Sequence, residues 1–142
     1  LPIAAANLPI EVIDANSGHT LSRVTPQGTP LALALASRTL AMLERGSHGV
    51  RLAWYARANG APLGSVPVSV AASPELTASD RVVVFRVGRS IRAVDLGTRK
   101  VRVLAKAAAT PVDLSLEGTR LAWAENLVSG ARIRALYLDA TP

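Results

Sequence analysis

Residues 72–107 read ASPELTASDRVVVFRVGRSIRAVDLGTRKVRVLAKA, and residues 109–139 then read ATPVDLSLEGTRLAWAENLVSGARIRALYLD. The second stretch restates the first. Each has a Ser-Pro or Thr-Pro entry, a short strand-like run, a polar turn, a second apolar run, a loop, and a third run opening Ile-Arg-Ala. Repetition at a period of tens of residues builds an array of like units, each burying a face that its neighbour leaves open.

The same grammar reaches back to the start of the chain. Residues 1–9 have room for one short strand at most. Ile10–Ala15 alternates and is β-branched, Asn16-Ser17-Gly18 is a turn signal, and Thr20–Val24 returns, so a hairpin is expected. LALALA at 31–36 has helical propensity, but it falls in a strand slot of the repeat, and an isolated six-residue helix is marginal. Strands are expected at 39–44 and 50–56 and, beyond the Asn59-Gly60 hairpin dipeptide, at 63–70, where Pro67 marks a sheet edge. The next unit runs 75–78, 81–87, 91–96 and 101–107, and the last 112–116, 120–125 and 133–139.

Three markers share one period. Thr/Ser-Pro entries fall at 29, 73 and 110; third strands begin at Ile10, Val50, Ile91 and Ile133; hairpin glycines stand at 18, 60 and 97. The steps cluster near 40, with four short strands in each, which is the signature of a propeller blade rather than of an immunoglobulin-like sandwich. The expected fold is all-β: a β-propeller segment of about three and a half four-stranded blades. It divides into a partial blade at 1–24, blades at 29–70 and 73–107, and a partial blade at 110–142. Strands between blades should be apolar on both faces, as in RVVVFRV and RLAWA. The two ends do not complete one sheet between them. A piece of a larger propeller is therefore expected, with open strand edges, low solubility in isolation and further blades supplied by the rest of the chain.

SLEGTRLAWAENLVSGARIRALYLD resembles the TolB-like β-propeller repeat, whose pattern is a Ser-Pro-Asp-Gly turn, a strand ending Ala-Phe/Trp, a loop, and an Ile-Tyr-x-x-Asp strand. Ser115, Glu117, Gly118, Leu121, Ala122, Trp123, Ile133 and Asp139 occupy such positions, while Leu116 replaces the proline and Glu117 the aspartate. The first unit, from Ile10, is similar to related WD-repeat-like propellers. The resemblance spans most of 10–139. It implies a bacterial protein of the cell envelope, periplasmic or otherwise extracytoplasmic, and assigns no catalytic residue, because these repeats are scaffold shared by many activities.

Composition narrows the chemistry. Charged residues make up only 18% against 49% apolar, which excludes a disordered chain. The absence of cysteine excludes disulfides and thiolate metal sites. No apolar run is long enough for a membrane helix, and no signal peptide is visible. His19 and His48 sit in separate Gly/Ser-rich turns with no second ligand at metal-binding spacing, and no G-x-S-x-G elbow is present. Neither a metal, a cofactor nor a catalytic site is expected, and the chain is read as no enzyme in itself. Trp54 and Trp123 are expected in the core. Asp14, Asp95 and Asp139 are expected to cap hairpin turns.

The charge asymmetry is the remaining signal. Between Arg81 and Lys106 stand eight basic residues and one acid, Asp95. Aromatic residues that could stack on bases are missing apart from Phe85, so an acidic partner is expected and nucleic acid is not. Loops joining second to third strands, at 45–49, 88–90 and 126–131, are the first expectation for a binding face. The candidate binding residues are Arg45, His48, Arg89, Arg99, Arg102 and Asn126, for a protein or small ligand. The alternative is an accessory or lid domain of an enzyme, such as a peptidase-like hydrolase, with catalysis carried elsewhere.

Overall fold

The computed structural model describes residues 8–70 and 74–138, and all regular structure among them is β. Residues 1–7, Ser73 and Asp139 lie outside the described residues, and with them the first segment, one Ser-Pro entry and one expected turn cap.

Strands β1 (Ile10–Ile13) and β2 (Thr20–Val24) form a hairpin. A four-stranded meander follows: β3 (Thr29–Leu35), β4 (Thr39–Gly46), β5 (Gly49–Ala56) and β6 (Pro62–Pro67). A second comprises β7 (Leu76–Ala78), β8 (Val82–Val87), β9 (Ser90–Asp95) and β10 (Val101–Lys106). Three strands close the described chain: β11 (Val112–Glu117), β12 (Arg120–Leu127) and β13 (Gly130–Tyr137). Every pairing is antiparallel, and strands lie in each sheet in chain order. The segment 31–35 is strand, as the repeat requires. Pro67 ends the edge strand β6, where a missing N–H interrupts no ladder.

The chain forms two compact units, dividing between Ser69 and Val70. In the first, Leu40, Met42, Ala53 and Tyr55 share one face of the β3–β6 sheet and pack with Val24 of β2 and Ile10 of β1. In the second, Val84, Ile91 and Ala93 on one face of β7–β10 pack against Leu114, Leu121 and Trp123 of the β11–β13 sheet. Val83, Phe85 and Val94, on the opposite face of β8 and β9, are also buried, so the central strands read as continuous apolar runs. RLAWA departs from that expectation: Leu121 and Trp123 are buried, while Ala122 and Ala124, alternating with them, are only partly so, because the β11–β13 sheet is covered on one face.

Two expectations need correcting. The intervals 45–49 and 126–131 are strand continuing into tight turns, with Gly46 opposite Gly49 and Leu127 opposite Gly130. Only Ser47-His48 and Val128-Ser129 remain as connections, because a two-residue turn lets the ladder run to its end. The third hairpin marker is likewise Arg99, not Gly97. The amides of Gly18, Gly60 and Arg99 each donate to the carbonyl four residues back, in Asp14, Ala56 and Asp95. All three residues have positive φ, at 77°, 76° and 64°.

Candidate functional site

The β7–β10 sheet carries the densest charge, and three of its arginines are engaged with carboxylate or carbonyl oxygens. The Arg86 guanidinium donates to Glu75 at 2.9 Å and to the Pro111 carbonyl, Arg89 donates to the Ala108 carbonyl at 3.2 Å, and Arg102 to the Leu138 carbonyl at 3.4 Å. The three carbonyl bonds run from β8, β10 and the β8–β9 turn onto the segments leading into and out of the β11–β13 sheet. Part of the basic excess therefore works as a fastening within the second unit. The exposed cations of β10 and the turn before it are Arg99, Lys100, Arg102 and Lys106. Asp95, the acid nearest them in sequence, accepts the Gly97 and Thr98 amides at 2.9 Å each. The Thr98 amide, more than any other influence, holds the Asp95 carboxyl below the ordinary carboxylate range. Asp14 accepts the Asn16 amide at 2.8 Å in the corresponding turn, so both described aspartates cap hairpins as their spacing implied.

Of the six candidate residues, Arg45 and His48 belong to the first unit and Arg89, Arg99, Arg102 and Asn126 to the second. Arg45 is exposed on β4 and paired in the ladder, His48 is exposed in the β4–β5 turn, and Asn126 is exposed on β12 opposite Ala131. Arg89 occupies the β8–β9 turn and Arg99 the β9–β10 turn, at opposite ends of β9. Arg102 lies on β10 near the Arg99 end, opposite Ala93. Arg99 and Arg102 are the pair that the fold brings to one edge. Phe85 is buried and offers no ring for stacking on a base. Trp54 and Trp123 are buried, as expected of core residues. Among the described residues no cluster of three or more His, Asp or Glu side chains could hold a metal ion, and no helix is long and apolar enough to cross a membrane.

A buried carboxylate on β12 escaped the sequence reading. Glu125 is fully buried, and its oxygens accept the Trp123 indole N–H at 2.8 Å, Arg132 Nε at 2.9 Å and Arg134 Nη1 at 3.2 Å. The Arg134 guanidinium also stands 5.3 Å from the centre of the Trp123 ring, within cation–π reach. The indole bond first, then the Arg132 bond and charge, hold Glu125 below the ordinary glutamate range despite its burial. One carboxylate thus faces two half-exposed guanidiniums, leaving a local surplus of one positive charge on β13.

Glu44 on β4 has the matching environment. It is buried, accepts the Gln27 amide at 3.2 Å and the Tyr55 hydroxyl, and lies opposite Arg51, which donates to the Gln27 side chain. Spacing could have exposed the pair. Glu44, Phe85 and Glu125 stand two residues before the end of their strands, each opposite an arginine: Arg51, Arg92 and Arg132.

No family model matches the chain, and no curated protein matches it. Solved structures do. Hydrazine synthase of Kuenenia stuttgartiensis is similar with a TM-score of 0.62 at 14% identity over 92% of this chain and 40% of its own. BamB of Moraxella catarrhalis is similar with a TM-score of 0.58 at 11% identity, over 92% of this chain and 38% of its own. The computationally designed Ika8 protein is similar with a TM-score of 0.58 at 14% identity, over 85% of this chain and 38% of its own. This chain thus spans about two-fifths of the length of each of these structures. At such identities the likeness concerns the fold alone. Together with the four antiparallel sheets, it identifies the architecture as part of a β-propeller.

Proposed function

We propose that this chain is a non-catalytic β-propeller segment that binds or scaffolds an acidic protein partner through β10 and the β9–β10 turn. The observation that carries the reading is Arg99. Its backbone takes the left-handed conformation, with φ 64°, that Gly18 and Gly60 take in the corresponding turns. A non-glycine residue there costs about 1–2 kcal/mol. Backbone strain tends to persist where a side chain serves a purpose. Here it sets a guanidinium at the tip of a turn, beside Lys100 and Arg102, in the most basic sheet of the chain.

The resemblance to TolB-like repeats supports a bacterial protein working in the cell envelope. Likeness to hydrazine synthase, an enzyme by name, motivates a second reading: an accessory or lid domain whose catalytic partner lies outside these 142 residues.

Poly-L-glutamate is a suitable probe, with duplex DNA as the control polyanion. The acidic-partner reading expects binding of polyglutamate that weakens with salt, and weakens again when Arg89, Arg99 and Arg102 are changed together to glutamine. Unchanged binding in that variant, or preference for DNA, rejects it.

A further inference from the structure

Three third strands carry an arginine at the same register, and two of the three stand opposite a carboxylate. Arg51 faces Glu44 across the ladder, and Arg132 faces Glu125. Arg132 Nε donates to its glutamate at 2.9 Å. Arg92 instead stands opposite Phe85, a buried ring that offers no acceptor. Among the described residues, its one hydrogen bond runs from Nε to Ser90 Oγ, at 3.4 Å. The β7–β10 sheet has all four of its strands. Arg92 therefore lacks a carboxylate because of the residue at position 85, not for want of a neighbouring strand.

The same face of the sheet adds a second cation. Side chains alternate across a strand, so Ser90 and Arg92 share one face of β9. Lys106 is the ladder partner of Ser90, which makes it the diagonal neighbour of Arg92, within reach of a long side chain. The acids of this sheet are committed elsewhere. Glu75 is held by Arg86 at 2.9 Å, and Arg86 lies on the opposite face of β8 from Phe85. Asp95, at the far end of β9, accepts the Gly97 and Thr98 amides. A half-buried guanidinium beside a buried ring is poorly hydrated, so a charge-assisted bond to an incoming anion is stronger there than in open water.

We infer that Arg92, Lys106 and Ser90 form a carboxylate-recognition site, in which an acidic side chain of the partner protein takes the place that Glu44 and Glu125 fill in the other two sheets. The Arg92 fork donates to the carboxylate oxygens, and Lys106 and the Ser90 hydroxyl supply further donors. This rests on the reading of the chain as a binder of an acidic partner. It gives that partner an anchor at the end of β9 away from Arg99.

The test titrates three probes into the intact, nitrogen-labelled chain while the Arg92 Nε–H resonance is followed by NMR: a short capped peptide of glutamates, its glutamine counterpart, and inorganic phosphate. The glutamate peptide should shift that resonance and bind at least about tenfold tighter than the glutamine peptide. Arg92→Gln and Arg92→Lys should each weaken it at least about fivefold, since lysine keeps the charge and loses the fork. A second readout separates recognition from structure. Arg92→Gln should leave the urea midpoint unchanged, whereas Arg132→Gln, which strips a donor from buried Glu125, should lower it. Equal affinity for the two peptides, unchanged binding in Arg92→Gln, or phosphate binding tighter than the glutamate peptide overturns the inference. So does a midpoint loss in Arg92→Gln equal to that of Arg132→Gln, because the guanidinium would then serve the fold. If Arg92 fails these tests while polyglutamate binding still falls in the Arg89, Arg99 and Arg102 variant, this site is removed and the acidic-partner reading stands. Loss of both responses removes both.

Discussion

Glu44 and Glu125 occupy the same place in two different sheets: each is wholly buried, two residues before the end of a second strand, and opposite an arginine on the third. Each also accepts a hydrogen bond from an aromatic donor, the Tyr55 hydroxyl and the Trp123 indole. The sheet that falls between them in sequence keeps the arginine, Arg92, and replaces the glutamate with Phe85. The position therefore tolerates either a satisfied charge or a large apolar ring. It does not tolerate a carboxylate without its donors.

Acid titration should show this at Glu125. Its carboxyl, like that of Asp95, is held below the unfolded range, near 4. A group with a depressed folded pKa contributes stability that is complete above the unfolded pKa and is lost as pH falls through the folded one. Urea midpoints should therefore be flat above about pH 5 and fall steadily toward pH 2. Glu125→Gln should lower the midpoint at pH 7 and make the acid limb shallower, since Arg132 and Arg134 lose a charged partner. An acid limb of undiminished slope in Glu125→Gln would place the titrating group elsewhere.

Tyr55 should act at the other end of the scale. Burial first, and its bond to Glu44 second, push its hydroxyl well above the ordinary tyrosine range. The folded state prefers the protonated phenol, so this contribution is fully present below the unfolded pKa near 10 and is lost as pH rises beyond it. Tyr55→Phe should remove that alkaline loss, at a cost of about 1–2 kcal/mol at neutral pH for the hydrogen bond taken from a buried carboxylate. Absorbance titration of the phenolate should show Tyr55 ionising only with unfolding.

The three equivalent hairpins separate strain from crowding. A Cβ on Gly60 would sit 1.9 Å from the Arg23 carbonyl oxygen, on top of the left-handed backbone penalty. Gly18 has nearly the same φ, and a Cβ there would meet nothing within 4 Å. Gly18→Ala should then cost about 1 kcal/mol, and Gly60→Ala clearly more, about 3 kcal/mol. Arg99→Gly should run the other way and stabilise by up to about 1 kcal/mol, because it relieves the same conformation. Denaturant midpoints of the three variants provide the comparison, and destabilisation by Arg99→Gly would show that the Arg99 side chain contributes more than its backbone costs.

The repeat was legible because it is written in turns and apolar runs. LALALA at 31–36 shows the power of that evidence, since local propensity points to helix and the period points to strand. The turn boundaries were less legible. Ser47-His48 and Val128-Ser129 lie inside polar stretches that look like longer loops, and only ladder register shows the strands extending through Arg45 and Asn126. Arg89 and Arg99 separate for a related reason. Sequence places Arg89 and Arg99 ten positions apart, and a six-residue strand between them carries them to opposite ends of a sheet. Glu125 was missed because a lone acid within an apolar run reads as an exposed strand residue until its partners Trp123, Arg132 and Arg134 are seen on the same face.

Truncations on the two faces of the β11–β13 sheet should differ sharply. Trp123 is buried among Val84, Ile91 and Leu121, and its indole also holds Glu125. Trp123→Ala should cost about 3–5 kcal/mol, from the cavity and the abandoned carboxylate together. Ile133 lies on the opposite face with most of its surface in water, so Ile133→Ala should change stability by less than about 0.5 kcal/mol. The corresponding residue of β9, Ala93, is buried where the β11–β13 sheet covers it, and Ala93→Ile should cost about 1–3 kcal/mol by overpacking. The same side chain at the same point of the repeat is thus free in one sheet and excluded from the other, depending on whether a neighbouring sheet lies over it. A large loss from Ile133→Ala in the 142-residue chain would mean that this face is covered in solution. The test of coverage would then be whether that loss depends on protein concentration, as burial against a second copy requires.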